Sequence, residues 1–425
     1  MNFLFTFEFQ HVQMIYVVGI SIAFFLSLLL LSKKGKTQAD KILTVWLLVI
    51  GVHLLLFYFV FSGIAFQHPF WLGLSMPLPL VQGPFLFLYT ASLTNQLTGR
   101  KKLWLIHFIP AALCYLYLIR FYIMPADQKI FIFQHRGIGF ESFQLVNLVA
   151  IVLSGITYVC WSLLLLRRHR QAILNEYSYT EKINLRWLQF LIYGIAFIWV
   201  LVLATDEVLF TGVVLFVVLI GYFGITQPGI FTRPVTGQVN PSPVPEKGHI
   251  VQPVLLSTDQ KTENSSSLHQ TVAKSTNPVS IEQPEMRVNT DESSEKRKYL
   301  KSGLSAEMAE NLHSRLTDLM VTEKLFTQSE LSLSELAGRL NTLPNYLSQV
   351  INDKEGKNFY DYINTLRIEE FKALVARPEN RKYTLLSLSY DCGFNSKSSF
   401  NKNFKKVTGL SPSEYLNHLN VEVAA

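Results

Sequence analysis

Apolar residues gather into seven stretches, at about 12–32, 42–64, 69–92, 103–123, 143–166, 187–205 and 208–227, separated by short polar connections. Each is near the 20 residues that a helix rising 1.5 Å per residue needs to cross a hydrocarbon core of roughly 30 Å. Segments such as IAFFLSLLLL and GVVLFVVLIGYFG carry no charge at all. A cleaved leader does not explain a pattern repeated over more than 200 residues. The pattern then changes twice. Residues 233–295 are rich in Pro, Ser, Thr, Asn and Gln and keep neither a 2.0 nor a 3.6 period, so they bury too little apolar surface to offset ordering. From 296 onward short amphipathic segments return at helical spacing. The chain therefore reads as all-α: a seven-helix transmembrane bundle over 1–232, a disordered linker over 233–295, and a compact helical domain over 296–420.

Within the third stretch, Pro77, Pro79, Gly83 and Pro84 interrupt the apolar run. Proline frees backbone carbonyls that neighbouring helices must satisfy, so this segment is expected to be kinked and internally packed, with the wall of a ligand cavity as the second reading. His53, His107 and Arg120 are the ionisable groups inside stretches, each explained more simply by snorkelling or an interhelical bond than by an ion path. Trp46, Trp71, Trp104, Trp187 and Trp199 fit an interfacial belt.

Charge adds a direction. The segments 1–232, 233–295 and 296–425 hold 15, 5 and 18 Lys/Arg against 8, 8 and 15 Asp/Glu. In the first, 12 basic residues fall in three alternate connections: Lys33, Lys34, Lys36 and Lys41; Arg100, Lys101 and Lys102; and Arg167, Arg168, Arg170, Lys182 and Arg186. The positive-inside rule places those connections in the cytoplasm, with the N-terminus outside and the C-terminal domain in the cytoplasm. As a coil of about 60 residues, the linker would span on the order of 40–45 Å. Cys114, Cys160 and Cys392 are far apart, so neither a disulfide framework nor a cysteine metal site is suggested.

In the C-terminal part, Met308, Leu312, Leu316 and Leu319 mark an amphipathic helix. Ser332 three before Glu335 is a capping box opening a short helix, the break NTL follows, and Pro344 starts a second helix with Tyr346, Leu347, Val350 and Ile351 to pack. A long helix, FYDYINTLRIEEFKALVA, leads to a repeat of the arrangement: Thr384 capping LLSLSYDC, a turn at Gly393, and a helix from about Ser396 to Val407. Two such helix-turn-helix units could set their second helices into major-groove faces roughly 34–36 Å apart. Ser411, Pro412 and Glu414 repeat the capping pattern.

The stretch 299–416 resembles the DNA-binding domain of the AraC/XylS class of transcription regulators: a Gly-Phe turn, small residues, Phe, then FKK, TG, SP and a tyrosine, from Gly393 to Tyr415. PNYLSQVIN, NFYDYIN and GFNSKSSFN together are similar to the variant of Bacteroidota-type bacteria, in which QGPFLFLYTASLT and HFIPAALCYLYL resemble multi-span N-terminal regions. The resemblance implies a two-unit domain that binds double-stranded DNA and contacts the transcription machinery, RNA polymerase included.

Residues for that role follow from type and position. In the first unit Asn345, Tyr346, Ser348, Gln349 and Asn352 lie along the recognition helix; Asn and Gln pair bidentately with adenine, and Ser reads several base edges. Lys354 and Lys357 suit phosphate. In the second unit Ser396, Lys397, Ser399, Asn401 and Lys402 are exposed candidates, Lys405 and Lys406 suit phosphate, and Phe400 and Phe404 form the core stripe. Arg367 has two readings, a fork to phosphate or a brace through Glu369 or Glu370. The leading expectation is a membrane-anchored, sequence-specific DNA-binding transcription regulator, not an enzyme, with no cofactor or metal. Its expected partners are double-stranded DNA, the lipid bilayer, RNA polymerase, a second copy of the chain and an unidentified small-molecule or membrane-derived signal. The alternatives are a transporter or channel with a regulatory C-terminal domain and a protein-interaction adaptor.

Overall fold

A computed structural model describes residues 2–97, 101–181, 183–226 and 304–424. The expected linker, 233–295, and the first residues of the expected C-terminal domain lie outside them. The described chain is helical, α with short 3-10 segments, apart from one isolated antiparallel bridge between Tyr177 and Ser332.

In the N-terminal half the helices are α1 (Asn2–Ser32), α2 (Gln38–Phe61), the single turn α3 (Ile64–Gln67), α4 (Pro79–Leu93), α5 (Ile109–Tyr122), α6 (Ala126–Gln134), α7 (Glu141–Glu176), α8 (Arg186–Leu201) and α9 (Asp206–Thr226). This corrects the seven-span reading. Among the described residues, five helical stretches are long and apolar enough to cross a membrane: Gln13–Ser32, Gln38–Phe61, Leu103–Tyr122, Glu141–Glu176 and Asp206–Phe223. The third expected stretch is broken. Its first part is turn and 3-10 structure, and α4 holds only 15 residues. Proline explains the break, because Pro77 and Pro79 disfavour helix in the residues before them and lack the N–H a helix interior needs. The sixth expected stretch becomes α8, an apolar helix of 16 residues.

The first two helices form a hairpin closed at its tight end by chemistry rather than by packing alone. Thr37 and Asp40 make a full capping box, and the buried Lys33 ammonium donates to Asp40 at 2.9–3.0 Å. That pairing lets two charges sit in the core. Trp46 is only 1% exposed and donates its indole N–H to Gln82 Oε1 at 2.8 Å, so it belongs to the core and not to an interfacial belt. His107 bonds the Tyr158 hydroxyl of α7 at 2.9 Å, the interhelical role expected of it, while Arg120 donates to Tyr117 on its own helix and lies over the Phe140 ring. Outward faces carry large apolar side chains, among them Val146, Ile156, Phe190 and Leu215.

The C-terminal part contains α10 (Ala306–Glu323), α11 (Leu333–Arg339), α12 (Pro344–Glu355), α13 (Phe359–Val375), α14 (Leu385–Asp391), α15 (Lys397–Thr408) and α16 (Pro412–Ala424). The buried stripe of α10 is Ala309, Leu312, Leu316 and Met320, with Met308 54% exposed. Leu312 and Leu316 lie inward as expected, while Ala309 and Met320 take the places expected for Met308 and Leu319 at the two ends of the stripe. Side chains of Ser332, Asn358, Thr384 and Ser396 each accept the backbone N–H three residues on, which starts α11, α13, α14 and α15 where the sequence changes period. Ser411 and Glu414 form the expected reciprocal box.

Candidate nucleic-acid interface

Two helix pairs flank α13. The first joins α11 to α12 through a turn in which Asn341 takes a left-handed conformation at φ 48°. The second joins α14 to α15 through Gly393, at φ 93°, where a Cβ would lie 2.6 Å from the Thr327 carbonyl oxygen. Only glycine fits that approach. Phe371, Phe400 and Phe404 are buried together with ring centroids 4.6–5.6 Å apart, and Tyr415 closes on Phe404 at 5.4 Å. This cluster seats α15 on α13 and fixes which face of α15 turns outward.

That outward face carries Lys397, Ser398, Asn401, Lys402 and Lys405, all exposed. Ser399 is not among them: at 7% exposure it faces inward, where Asn403 Nδ2 donates to its carbonyl at 3.0 Å and to the Tyr360 hydroxyl at 2.8 Å. The reason is periodicity, since 399 and 403 flank the Phe400–Phe404 stripe. Ser398, which the same period would have chosen, takes its place on the outer face. Ser396 is half-buried and serves as the N-cap of α15. Lys406 is exposed but paired with Asp361 at 2.6 Å.

On α12, Asn345 and Asn352 are exposed, and Tyr346, Ser348 and Gln349 are half-buried. Asn352 spends one amide hydrogen on the Ser348 carbonyl, at 2.8 Å. Lys354 pairs with Glu310, which holds the Glu310 carboxyl below the usual carboxylate range, and Lys357 is half-buried beyond the end of the helix.

Arg367 points the other way. It is 1% exposed, and all five of its N–H groups are engaged inside the protein. Nε donates to the Phe326 carbonyl at 2.7 Å and Nη2 to that of Gln328 at 2.6 Å. Nη1 reaches the Ser178 carbonyl and Asn364 Oδ1, and Nη2 also reaches the Ser178 hydroxyl, each at 3.2 Å. The phosphate reading of Arg367 is thereby corrected: a guanidinium saturated by internal acceptors has no donor left for DNA. The brace expected through Glu369 or Glu370 is not formed; Arg367 instead ties α13 to the Phe326, Gln328 and Ser178 carbonyls, Asn364 Oδ1 and the Ser178 hydroxyl. Glu369 and Glu370 are engaged by Lys372 and Lys324 instead. Burial lowers the Arg367 pKa to about 10, which leaves it charged at neutral pH.

Sequence reasoning missed what holds the far side of this brace. Ser178, just beyond α7, donates its amide to the Leu331 carbonyl at 3.1 Å and its hydroxyl to the same oxygen at 2.7 Å. Asn364 Nδ2 returns a bond to the Ser178 carbonyl at 3.0 Å. One residue before the bridge, Glu176 Oε1 accepts from the Ser334 hydroxyl and amide at 2.6 and 3.3 Å. The end of an N-terminal-half helix thus caps α11, the helix on which the first recognition unit rests. No local pattern signals a contact made across about 150 residues of sequence.

A helix-turn-helix domain model matches residues 336–418. The chain is 34% identical over 107 residues to the HTH-type transcriptional regulator YobQ of Bacillus subtilis, covering 25% of this chain and 42% of that one. It is 30% identical over 88 residues to the HTH-type transcriptional regulator YtdP of the same species, covering 21% and 11%, and 29% identical over 87 residues to the Msm operon regulatory protein of Streptococcus mutans, covering 20% and 30%. The chain spans less than half the length of each of these relatives. No solved structure matches it. Residues 336–418 of the C-terminal region are thus similar to the helix-turn-helix domains of transcriptional regulators.

Proposed function

We propose that this chain is a membrane-anchored transcription regulator of AraC/XylS type, similar to those of Bacteroidota-type bacteria. Its C-terminal domain works at the cytoplasmic face of the inner membrane, joined to the N-terminal half by a linker over 233–295. The observation that carries the proposal is the outer face of α15, where Lys397, Lys402 and Lys405 are exposed beside Asn401 on a helix seated by its phenylalanines. Three cations and an amide on one helix face suit phosphate attachment with base readout. Asn345, Gln349 and Asn352 of α12 supply the second reading face.

Membrane anchoring is supported by the five long apolar helices and by the large apolar side chains they turn outward. Orientation is supported by Ser178, which meets the C-terminal domain just beyond the end of α7, the helix whose last turns carry Arg167, Arg168 and Arg170. Helix α7 spans 36 residues, about 54 Å, and so is longer than a hydrocarbon core. A displacement of α7 would draw Ser178 and Glu176 from Arg367 and α11, which makes this clasp the natural route by which the membrane half reports to the DNA-binding half.

Genome-wide mapping of DNA bound by the full chain in its host membrane tests the reading. Enrichment at discrete promoters, lost when Lys397, Lys402 and Lys405 are replaced together by Ala, is the expected result. Occupancy indistinguishable from that of a strain lacking the gene would end it.

A further inference from the structure

A cavity of about 370 Å³ lies among α2, the segment 75–82, α7, α8 and α9. That size falls within the range of small-molecule sites. Its walls are apolar and aromatic, with Trp199 and Phe210 prominent, and the polar side chains reaching it are His53, Ser75, Gln82 and Asp206. None of its lining residues is Lys or Arg.

Each polar group has spare capacity. His53 makes an edge contact to Phe210, at 5.1 Å between centroids, and its imidazole has no hydrogen-bond partner among the described residues. Gln82 accepts from Trp46 and sends one amide hydrogen to the Leu78 carbonyl at 3.5 Å, which leaves the other free. Asp206, exposed at the start of α9, brings the single acidic group in the lining, and no Lys or Arg of the cavity meets it.

We propose that this cavity binds an organic amine with an apolar, preferably aromatic, body. A ligand ammonium would pair with Asp206, donate to His53 and lie against aromatic faces, and the first and last of these favour a cation. A ligand carboxylate would meet Asp206 with no cation to offset it, in surroundings that penalise unpaired charge. An alcohol would keep the hydrogen bonds and lose the charge pairing.

The position of the site gives the ligand a purpose. Ile151 of α7 lines the cavity, and Glu176 at the other end of the same helix caps α11. They are 25 residues apart, on the order of 38 Å along one continuous helix. The binding proposal stands on the cavity; its effect on DNA rests on the function proposed above.

The test uses the full chain in lipid nanodiscs and three probes with one body, 4-phenylbutylamine, 4-phenylbutanol and 4-phenylbutanoate. Tritiated amine should bind saturably above empty discs, one per chain. Unlabelled amine should displace it at about tenfold lower concentration than the alcohol and at least thirtyfold lower than the carboxylate. Asp206→Asn should weaken the amine about tenfold and leave the alcohol unchanged, and His53→Phe should weaken both. Binding no greater than to empty discs, or equal displacement by the carboxylate on the unaltered chain, would overturn the proposal, and the second readout needs no variant to fold. Promoter-duplex binding measured in the same discs separates the two readings: amine binding without duplex selectivity defeats the function and leaves the site standing.

Discussion

Arg367 and Ser178, 189 residues apart in sequence, are joined by two hydrogen bonds of 3.2 Å, from Nη1 to the carbonyl and from Nη2 to the hydroxyl. The same guanidinium holds the carbonyls of Phe326 and Gln328. It therefore ties three separate segments to α13: the end of the α7 connection, the turn after α10 and the approach to α11.

Removing the guanidinium leaves several buried carbonyls without donors, each costing about 1–3 kcal/mol. Arg367→Ala should lower stability by on the order of 3 kcal/mol or more, read by thermal or denaturant unfolding. Arg367→Lys should restore little, because an ammonium cannot reproduce the fork.

Ser178→Ala keeps the backbone bonds of the clasp and loses only those of the hydroxyl, so its cost should be about 1 kcal/mol. The loss should be local. Hydrogen exchange should quicken at the amides of Ser334 and Glu335, near the start of α11, while Phe400 and Phe404 in α15 keep their protection. Equal loosening at both places would argue against a separate clasp.

Phe404→Ala removes a fully buried ring that touches Phe371, Phe400 and Tyr415. A loss of about 3–5 kcal/mol is expected. DNA binding should fail with it, because the outward face of α15 is set by this cluster.

Burial, with Glu370 and Asp391 nearby, pushes the Cys392 thiol up to about 12. At pH 8 the thiolate is then scarce and the sulfur enclosed, so Cys392 should resist iodoacetamide in the native chain and react once it is unfolded. Peptide mass spectrometry reads the outcome. Rapid native alkylation would mean that the α13–α15 core opens freely.

Much of the C-terminal domain was legible because its signals are local. Ser332, Thr384, Ser396 and Ser411 each stand where a helix starts, and Phe400 and Phe404 lie inward as their spacing requires. Ser399 was misplaced although the same spacing gave its answer. Arg367 was read as bracing through Glu369 or Glu370, or as forking to phosphate; it is instead buried against three backbone carbonyls, Asn364 Oδ1 and the Ser178 hydroxyl, partners that its neighbours in sequence do not reveal. The N-terminal half was legible in hydropathy but not in count: apolar composition does not show where Pro77 and Pro79 stop a helix, or that α8 is only 16 residues long. The Ser178 contact was invisible because it depends on the tertiary fold.

The central claim is that the exposed face of α15 binds duplex DNA selectively, and the most direct measurement is the affinity of the nanodisc-held chain for its mapped promoter duplex and for a shuffled duplex, across a salt series. The promoter should bind at least a thousandfold more tightly at physiological salt. Lys405→Ala should flatten the log K against log salt slope by about 0.9, and Lys406→Ala, whose ammonium is held by Asp361, should flatten it less. Equal affinity for the two duplexes, or a slope that Lys405→Ala leaves unchanged, would contradict it.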